Sequence, residues 1–303
     1  MIALDEIRSA RERIGDVVLR TPLVQVDEHV WAKLECLQPI GSFKLRGALN
    51  AVRSAPPQDV LTASAGNMAQ GVAWAARENG VRAVVVAPET APRAKLDAVE
   101  RLGGELVLVT HEVWWQTMVD RSYPGFEGLF VHPVEDELVM AGNGTIGLEL
   151  CEQLDDFDMV VVPWGGGGLT TGIASAVKAL RPGVRVVTAE PETAAPLAAA
   201  FAAGGPVEIV YEPSFVDGAG GRALLPTMWD RARELVDEAV AVPLDDVAAA
   251  MRLLASRARV VAEGAGALAL AAAHGGYGRT VCIVSGGNVD ASVLATVLSG
   301  ATP

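Results

Sequence analysis

Cysteine and histidine are both scarce in this 303-residue chain, with three cysteines at positions 36, 151 and 282 and four histidines. An odd, widely spaced set of thiols does not make a disulfide framework, and it predicts a reducing, cytoplasmic setting. The histidines share no ligand spacing with one another or with the cysteines, so no zinc centre is expected. Long apolar runs are also missing; none reaches the roughly 18 residues that a membrane-crossing helix needs. The opening MIALDEIRSARERI is charged and amphipathic, unlike a secretory leader. Basic runs are lacking and the formal net charge is −13, which argues against a nucleic-acid partner.

What is present is a regular alternation. Half of the residues are hydrophobic, and a chain of this length suits two domains or one large one. Apolar, β-branched runs at 81–87, 105–110, 158–164, 184–190 and 279–285 read as strands. Helical patterns cover 92–103, 169–180, 245–258 and 288–300, and AAAFAAGGPVEI reads as a helix end and turn. This order predicts an α/β protein built on open, mostly parallel sheets flanked by helices. Ligands of such sheets bind at the carboxyl ends of the strands. Four clusters sit after apolar runs in that way: SAGN (64–67), GGGG (165–168), DGAGG (217–221) and SGGN (285–288). The run before DGAGG, PSFV, is short and carries little weight. The other three read as walls of one pocket.

GGGGLTTG (165–172) joins a strong strand to a strong helix. Its glycines let the backbone turn tightly with N–H groups inward, and the helix adds its positive end, which suits a phosphate. The GK[ST] ending of a nucleotide P-loop is lacking. GNGTIG (142–147) matches G-x-G-x-x-G literally. The apolar run before it spans only four residues, and no ribose-binding acid follows at about 20 residues, so it reads as a decoy for a dinucleotide site. Leu45, Ala48, Leu49 and Val52 form a helical stripe, with Lys44 at its edge beside Gly47, Ala48 and Ala51. Those small neighbours leave room for a flat group, and Phe43 supplies a ring; yet most lysines are surface lysines. Asn67 of SAGN suits a helix N-cap and equally a loop that docks a carboxylate. SGGN suits a plain turn and equally a hydroxyl aimed at a ligand.

In combination and in order, GSFKLRGA, SAGNMAQG, AGNGTIG, GGGGL, VDG, EGAGA and SGGN resemble the fold type II pyridoxal-phosphate enzymes. More narrowly, they resemble the threonine/serine dehydratases and their serine racemase relatives. The resemblance runs from Thr21 to Asn288. It implies a tryptophan synthase β-like fold, with a large cofactor domain (1–48 and 139–303) interrupted by a small one (49–138). It implies pyridoxal 5′-phosphate as cofactor, with Lys44 holding it as a Schiff base and serving as the base at Cα. Phe43 would pack on the pyridine ring and Asn67 would bond the phenolic oxygen. Gly165, Gly166, Gly167, Gly168 and Leu169 would hold the phosphate. Gly218 would line the ring pocket, and Ser285 would face the ring nitrogen. Ser64, Ala65, Gly66, Asn67 and Met68 would surround the substrate carboxylate. GNGTIG becomes a loop beside the active site.

The resemblance further implies a lyase that releases ammonia from L-threonine, L-serine or a related β-hydroxy amino acid, leaving a 2-oxo acid. A hydroxyl at the ring nitrogen, unlike an aspartate, holds no proton firmly there, which favours elimination over a long-lived carbanion. A homodimer and a short form without a regulatory domain are expected on the same ground. Departures from the pattern matter. Ala65 stands where racemases carry a second serine, and two-sided proton transfer needs a group there. A serine racemase is therefore the lesser alternative, and an NAD-dependent dehydrogenase is a weaker one. A non-catalytic binding module of the same fold would need Lys44 to be free of cofactor. Met68 and Asn143 replace a usual histidine and glutamine near the substrate side, and Trp164 replaces a usual valine. The family's divalent-cation site retains Glu190 and Ala194, but Pro196 stands where its aspartate would be. No tight Mg²⁺ site is expected from that remnant, which leaves room only for a weaker, monovalent one.

Overall fold

The computed structural model describes residues 1–273 and 278–303. Among these, strands form two sheets. The larger has the order β1 (Leu23–Asp27), β2 (Val30–Leu34), β10 (Thr280–Val284), β7 (Met159–Pro163), β8 (Arg185–Pro191) and β9 (Glu238–Val242). The smaller has the order β5 (Gly104–Val109), β4 (Ala83–Pro88), β3 (Val60–Ala63) and β6 (Leu129–Phe130). All neighbours run parallel except β1 and β2, which are antiparallel.

The central strands read as unbroken apolar runs because both of their faces are buried. Side chains alternate across a strand. Met159 and Val161 of β7 and Cys282 and Val284 of β10 enter one core, with α10 (Leu244–Leu253) and α11 (Gly264–Ala271). Val160, Val162, Val281 and Ile283 enter the opposite core, with α1 (Leu4–Ile14), α6 (Glu137–Gln153), α7 (Gly168–Leu180) and α9 (Pro226–Leu235). The small sheet packs on α2 (Lys44–Arg53) and α3 (Asn67–Glu78) through Val60, Val85, Leu49 and Val72. Around it lie α4 (Arg93–Arg101) and α5 (His111–Asp120). The remaining helices are α8 (Pro196–Ala203), which Gly204 ends in a left-handed conformation, and α12 (Ala291–Leu298).

Two expectations change. GNGTIG is no loop: it lies within the 17-residue helix α6, so it has neither the preceding strand nor the turn that a dinucleotide fingerprint needs. Its glycines serve helix packing instead. A Cβ on Gly142 would come within 2.4 Å of the Arg46 carbonyl oxygen in α2, and one on Gly147 within 2.8 Å of the Ala176 Cβ in α7. The pattern at 245–258 is α-helical only to Leu253 and finishes as a π-turn over Leu254–Ala258. The strands of the small sheet all fall between residues 60 and 130. The expected limits near 48 and 138 fall inside α2 and α6.

Candidate active site

Topology brings the start of α2 to the end of β10. Phe43 N–H donates to the Ser285 carbonyl at 2.9 Å, Gly287 N–H donates to the Gly41 carbonyl at 2.9 Å, and Ser42 bridges Gly286. Gly41 makes this turn at φ +73°, a left-handed value that favours glycine. Lys44 thereby emerges beside the mouth of β7, where the glycine loop begins. One cleft, of ≈ 390 Å³ including its open mouth, is lined by Phe43, Lys44, the 165–169 loop, Gly218 and Ser285. Pro133, Val134 and Pro163 complete it. Nine residues singled out from sequence thus share one cavity, at the carboxyl ends of the strands.

The loop fits a phosphate. Gly167 sits at φ +92°, and a Cβ there would come within 2.4 Å of Trp164 Cη2; one on Gly166 would come within 2.3 Å of Val134 Cγ2. Only glycine permits that path. The first N–H groups of α7 lack intrahelical partners by construction and carry the positive end of the helix. Thr170 Oγ1, in the same first turn, is buried without a partner. Trp164 packs under the loop at 1% exposure, and the Gly165 Cβ position faces the Gly218 carbonyl at 3.3 Å.

Lys44 is not a solvated surface lysine. Its Nζ donates to the Pro133 carbonyl at 3.2 Å and sits 5.2 Å from the centre of the Phe43 ring. Burial disfavours the ammonium and pulls its pKa down to about 8, against the opposing pull of Glu263. A neutral amine is the form that condenses with a carbonyl.

Asn67 opens α3, but its side chain does not cap that helix. It bonds residues distant in sequence, none of which lines the cleft: Nδ2 donates to Glu263 Oε1 at 2.9 Å, and Oδ1 accepts from Asn288 Nδ2 at 2.8 Å. Asn288 in turn donates to the Ile40 carbonyl at 2.9 Å. An amide has two N–H groups, so Asn67 keeps one that these bonds do not use. Ser64 Oγ accepts from Gly66 N–H at 3.3 Å, and Ala65 and Gly66 are half-buried beside open space. Ser285 is buried, with its hydroxyl 3.5 Å from the Ala265 carbonyl.

Other expected residues lie elsewhere. Met68 is 2% exposed, in the core shared by α2 and α3, and does not line the cleft. Asn143 is buried beneath the glycine loop, with Nδ2 donating to the Gly168 carbonyl at 3.3 Å. Its place is therefore beneath the glycine loop. Glu190 and Ala194 are engaged in local hydrogen bonds. The Glu190 carboxyl accepts N–H groups from Leu197 at 3.1 Å and Ala198 at 2.9 Å, and the Ala194 carbonyl accepts from Gly221 at 3.3 Å. Both groups thus serve the start of α8 and the turn at Gly221, and Pro196 brings no second carboxylate beside them.

Sequence reasoning assigned no role to Glu263, Asn288, His132, Pro133 or Val134. The first two stand inside quoted motifs, EGAGA and SGGN, and a carboxylate opening an apolar helix was a usable signal. His132 to Val134 carry no local pattern that marks them.

The pattern of the family described as pyridoxal-phosphate dependent enzyme matches residues 14–286. The chain belongs to that family. The enzyme is 36% identical to an L-threonine ammonia-lyase of Thermotoga maritima, over 99% of this chain and 79% of that one. Its fold is similar to a threonine deaminase from T.th., with TM-score 0.84 and 36% identity, covering 95% of this chain and 99% of that one. It is also similar to a serine racemase from Dictyostelium discoideum, with TM-score 0.87 and 30% identity, covering 95% and 99%. Among the described residues, no helix is long and apolar enough to cross a membrane.

Proposed function

We propose that this enzyme is an ammonia-lyase that converts L-threonine, L-serine or a related β-hydroxy amino acid to a 2-oxo acid and ammonia. The observation that carries the reading is the pairing of a partly neutral Lys44 amine with an alanine at position 65. Lys44 would serve one face of the substrate Cα, and Ala65 brings no hydroxyl to the position where racemases carry the serine that serves the other. Pyridoxal phosphate, when bound, supplies the electron sink that makes the Cα–H acidic. Gly165 to Gly168 and Leu169 would hold its phosphate, Phe43 would pack on the ring, Gly218 would line the ring pocket and Ser285 would face the ring nitrogen. Asn67 would give its spare N–H to the phenolic oxygen. Ser64 and the backbone of Ala65 and Gly66 bind the substrate carboxylate, and Met68 supports that loop from the core. Lys44 takes the Cα proton, and the β-hydroxyl leaves with a proton as water. Water then returns to the released unsaturated amine, giving the 2-oxo acid and ammonia.

The names of the ammonia-lyase and deaminase relatives support this reading over racemisation. The two-lobed division at 49–138, a cytoplasmic location and a homodimer belong to the same proposal; sedimentation of the purified protein checks the dimer. Neither nucleic acid nor membrane is a partner in it. The decisive assay incubates the enzyme with a panel of hydroxy amino acids and measures oxo acid, ammonia and the enantiomer of the residual substrate. Lyase activity is expected to release oxo acid and ammonia in equal amounts and to vanish, by about 10³-fold or more, in Lys44→Ala. Racemised serine without ammonia would overturn the reading.

A further inference from the structure

The turn over residues 132–136 touches both halves of the cofactor site, and its geometry depends on one imidazole. His132 Nδ1 accepts two backbone N–H groups, from Val134 at 3.1 Å and Glu135 at 2.7 Å. Only an unprotonated Nδ1 can do so. The folded turn presents the Pro133 carbonyl to Lys44 Nζ at 3.2 Å. It also seats Val134 on the glycine loop, within 2.3 Å of where a Cβ on Gly166 would be, and sets the Val134 carbonyl 3.2 Å from the Gly168 Cβ position. The ring itself is 4% exposed and lies 6.1 Å from the Phe130 ring.

We propose that His132 is a positioning residue, which in its neutral form folds the 132–136 turn that seats the Lys44 amine and covers the phosphate loop. The inference rests on the family's cofactor and not on the substrate proposed above. Charge around the ring agrees with a neutral state. Burial is the first cause that lowers its pKa, to about 4, followed by Arg121; Glu135 opposes and Lys44 assists. The Asp136 carboxyl, which accepts N–H groups from Leu138 and Val139 and is raised by burial, lies at the far end of the turn. An opened turn lets the imidazole return to its ordinary pKa of about 6.5, so opening gains a proton as pH falls from there towards 4. The closed turn is fully favoured above that window and is progressively lost within it.

The holoenzyme tests this through release of pyridoxal phosphate, followed by loss of its visible absorbance on dilution into a carbonyl trap. Wild-type release is expected to accelerate roughly tenfold between about pH 7.5 and 5. His132→Phe removes the acceptor and is expected to release about tenfold faster at pH 7.5, with little further rise in acid. His132→Asn restores an acceptor that does not titrate, since asparagine makes the same local turn. It is expected to match the wild type at pH 7.5 and to lose the acid acceleration. Circular dichroism checks folding, and if the Phe variant does not fold, the pH response of the Asn variant decides alone. Wild-type release rates in a folded Phe variant, or a full acid acceleration in the Asn variant, would overturn the proposal. A wild-type protein whose band and release are as expected, but which yields no oxo acid, would overturn the proposed reaction and leave this inference standing.

Discussion

At the scale of single residues, the site is governed by two groups of opposite sign, a half-buried Lys44 and a buried Glu263. Burial pulls the Lys44 ammonium down to about 8 and pushes the Glu263 carboxyl up to about 7, with Asp217 adding to the second shift. Glu263 raises the lysine while accepting from Asn67, so it couples the amine to that amide. Glu263→Gln separates these roles. The amide oxygen of Gln can still accept from Asn67, but the charge that favours the ammonium is gone. The acid limb of kcat/KM against pH is therefore expected to move to lower pH. Stability carries its own signature. A carboxyl raised in the folded state contributes stability below its unfolded value near 4.5, and loses it as pH rises through the folded value. Tm of Glu263→Gln is thus expected to fall less than wild type between about pH 5 and 8. An unchanged difference across that range would remove Glu263 from the electrostatics of the site.

At the scale of elements, glycines set how closely helices approach. Gly142 of α6 lies against the α2 backbone, and Gly172 of α7 against the Met140 carbonyl of α6, where a Cβ would sit at 2.3 Å. Backbone cannot yield as a side chain can, so Gly142→Ala is expected to cost about 2–4 kcal/mol despite the better helix propensity of alanine. Gly183→Ala, with nothing within 4 Å of its Cβ position, is expected to stay within about 0.5 kcal/mol of wild type. Denaturant unfolding of the pair checks this. Comparable losses in both would mean that helix spacing is not the cause. Helix α8 supplies a second case. Glu190 caps it from β8, and the same carboxyl is raised by burial to about 7 despite two N–H donors. A divalent cation would find no second carboxylate beside it, because Pro196 follows in α8. Adding Mg²⁺ or a chelator is accordingly expected to leave Tm and activity unchanged, whereas a chelator-induced loss would show that the cap opens to a metal.

At the scale of the whole molecule, what sequence reveals and what it hides divide along chain separation. Strands such as 159–163 and 280–284 were legible because both faces are buried, and the glycine loop because its turn and helix start are contiguous. Lys44 was ambiguous, since its environment is made by Pro133 and Glu263, residues that only the topology brings near. Asn67 was readable as a cap for the same reason: its true partners, Glu263 and Asn288, lie some two hundred residues away. Hidden in the same way is the ion network that anchors α2 beneath Lys44. Arg46 donates to Glu35 Oε2 at 2.8 Å and to Glu149 Oε1 at 2.7 Å, and Lys33 joins Glu149 and the Thr21 carbonyl. Arg46 and Lys33 are 1% and 0% exposed. Forming such a network costs desolvation that its attractions only partly offset, but removing one member strands the others. Arg46→Met leaves Glu35 fully buried, keeping the Thr21 hydroxyl and Gln38 amide but losing both of its arginine bonds. It is expected to cost about 3–5 kcal/mol at neutral pH. Its sign with pH discriminates between lost charge pairing and lost packing. Arg46 holds the Glu35 carboxyl below its ordinary range against burial. Without Arg46, burial dominates, the carboxyl rises, and protonation relieves the cost. The deficit in the variant is therefore expected to shrink as pH is lowered towards about 5. A deficit that stayed constant with pH would instead assign Arg46 to packing, leaving the placement of α2, and of Lys44 at its head, to the apolar stripe alone.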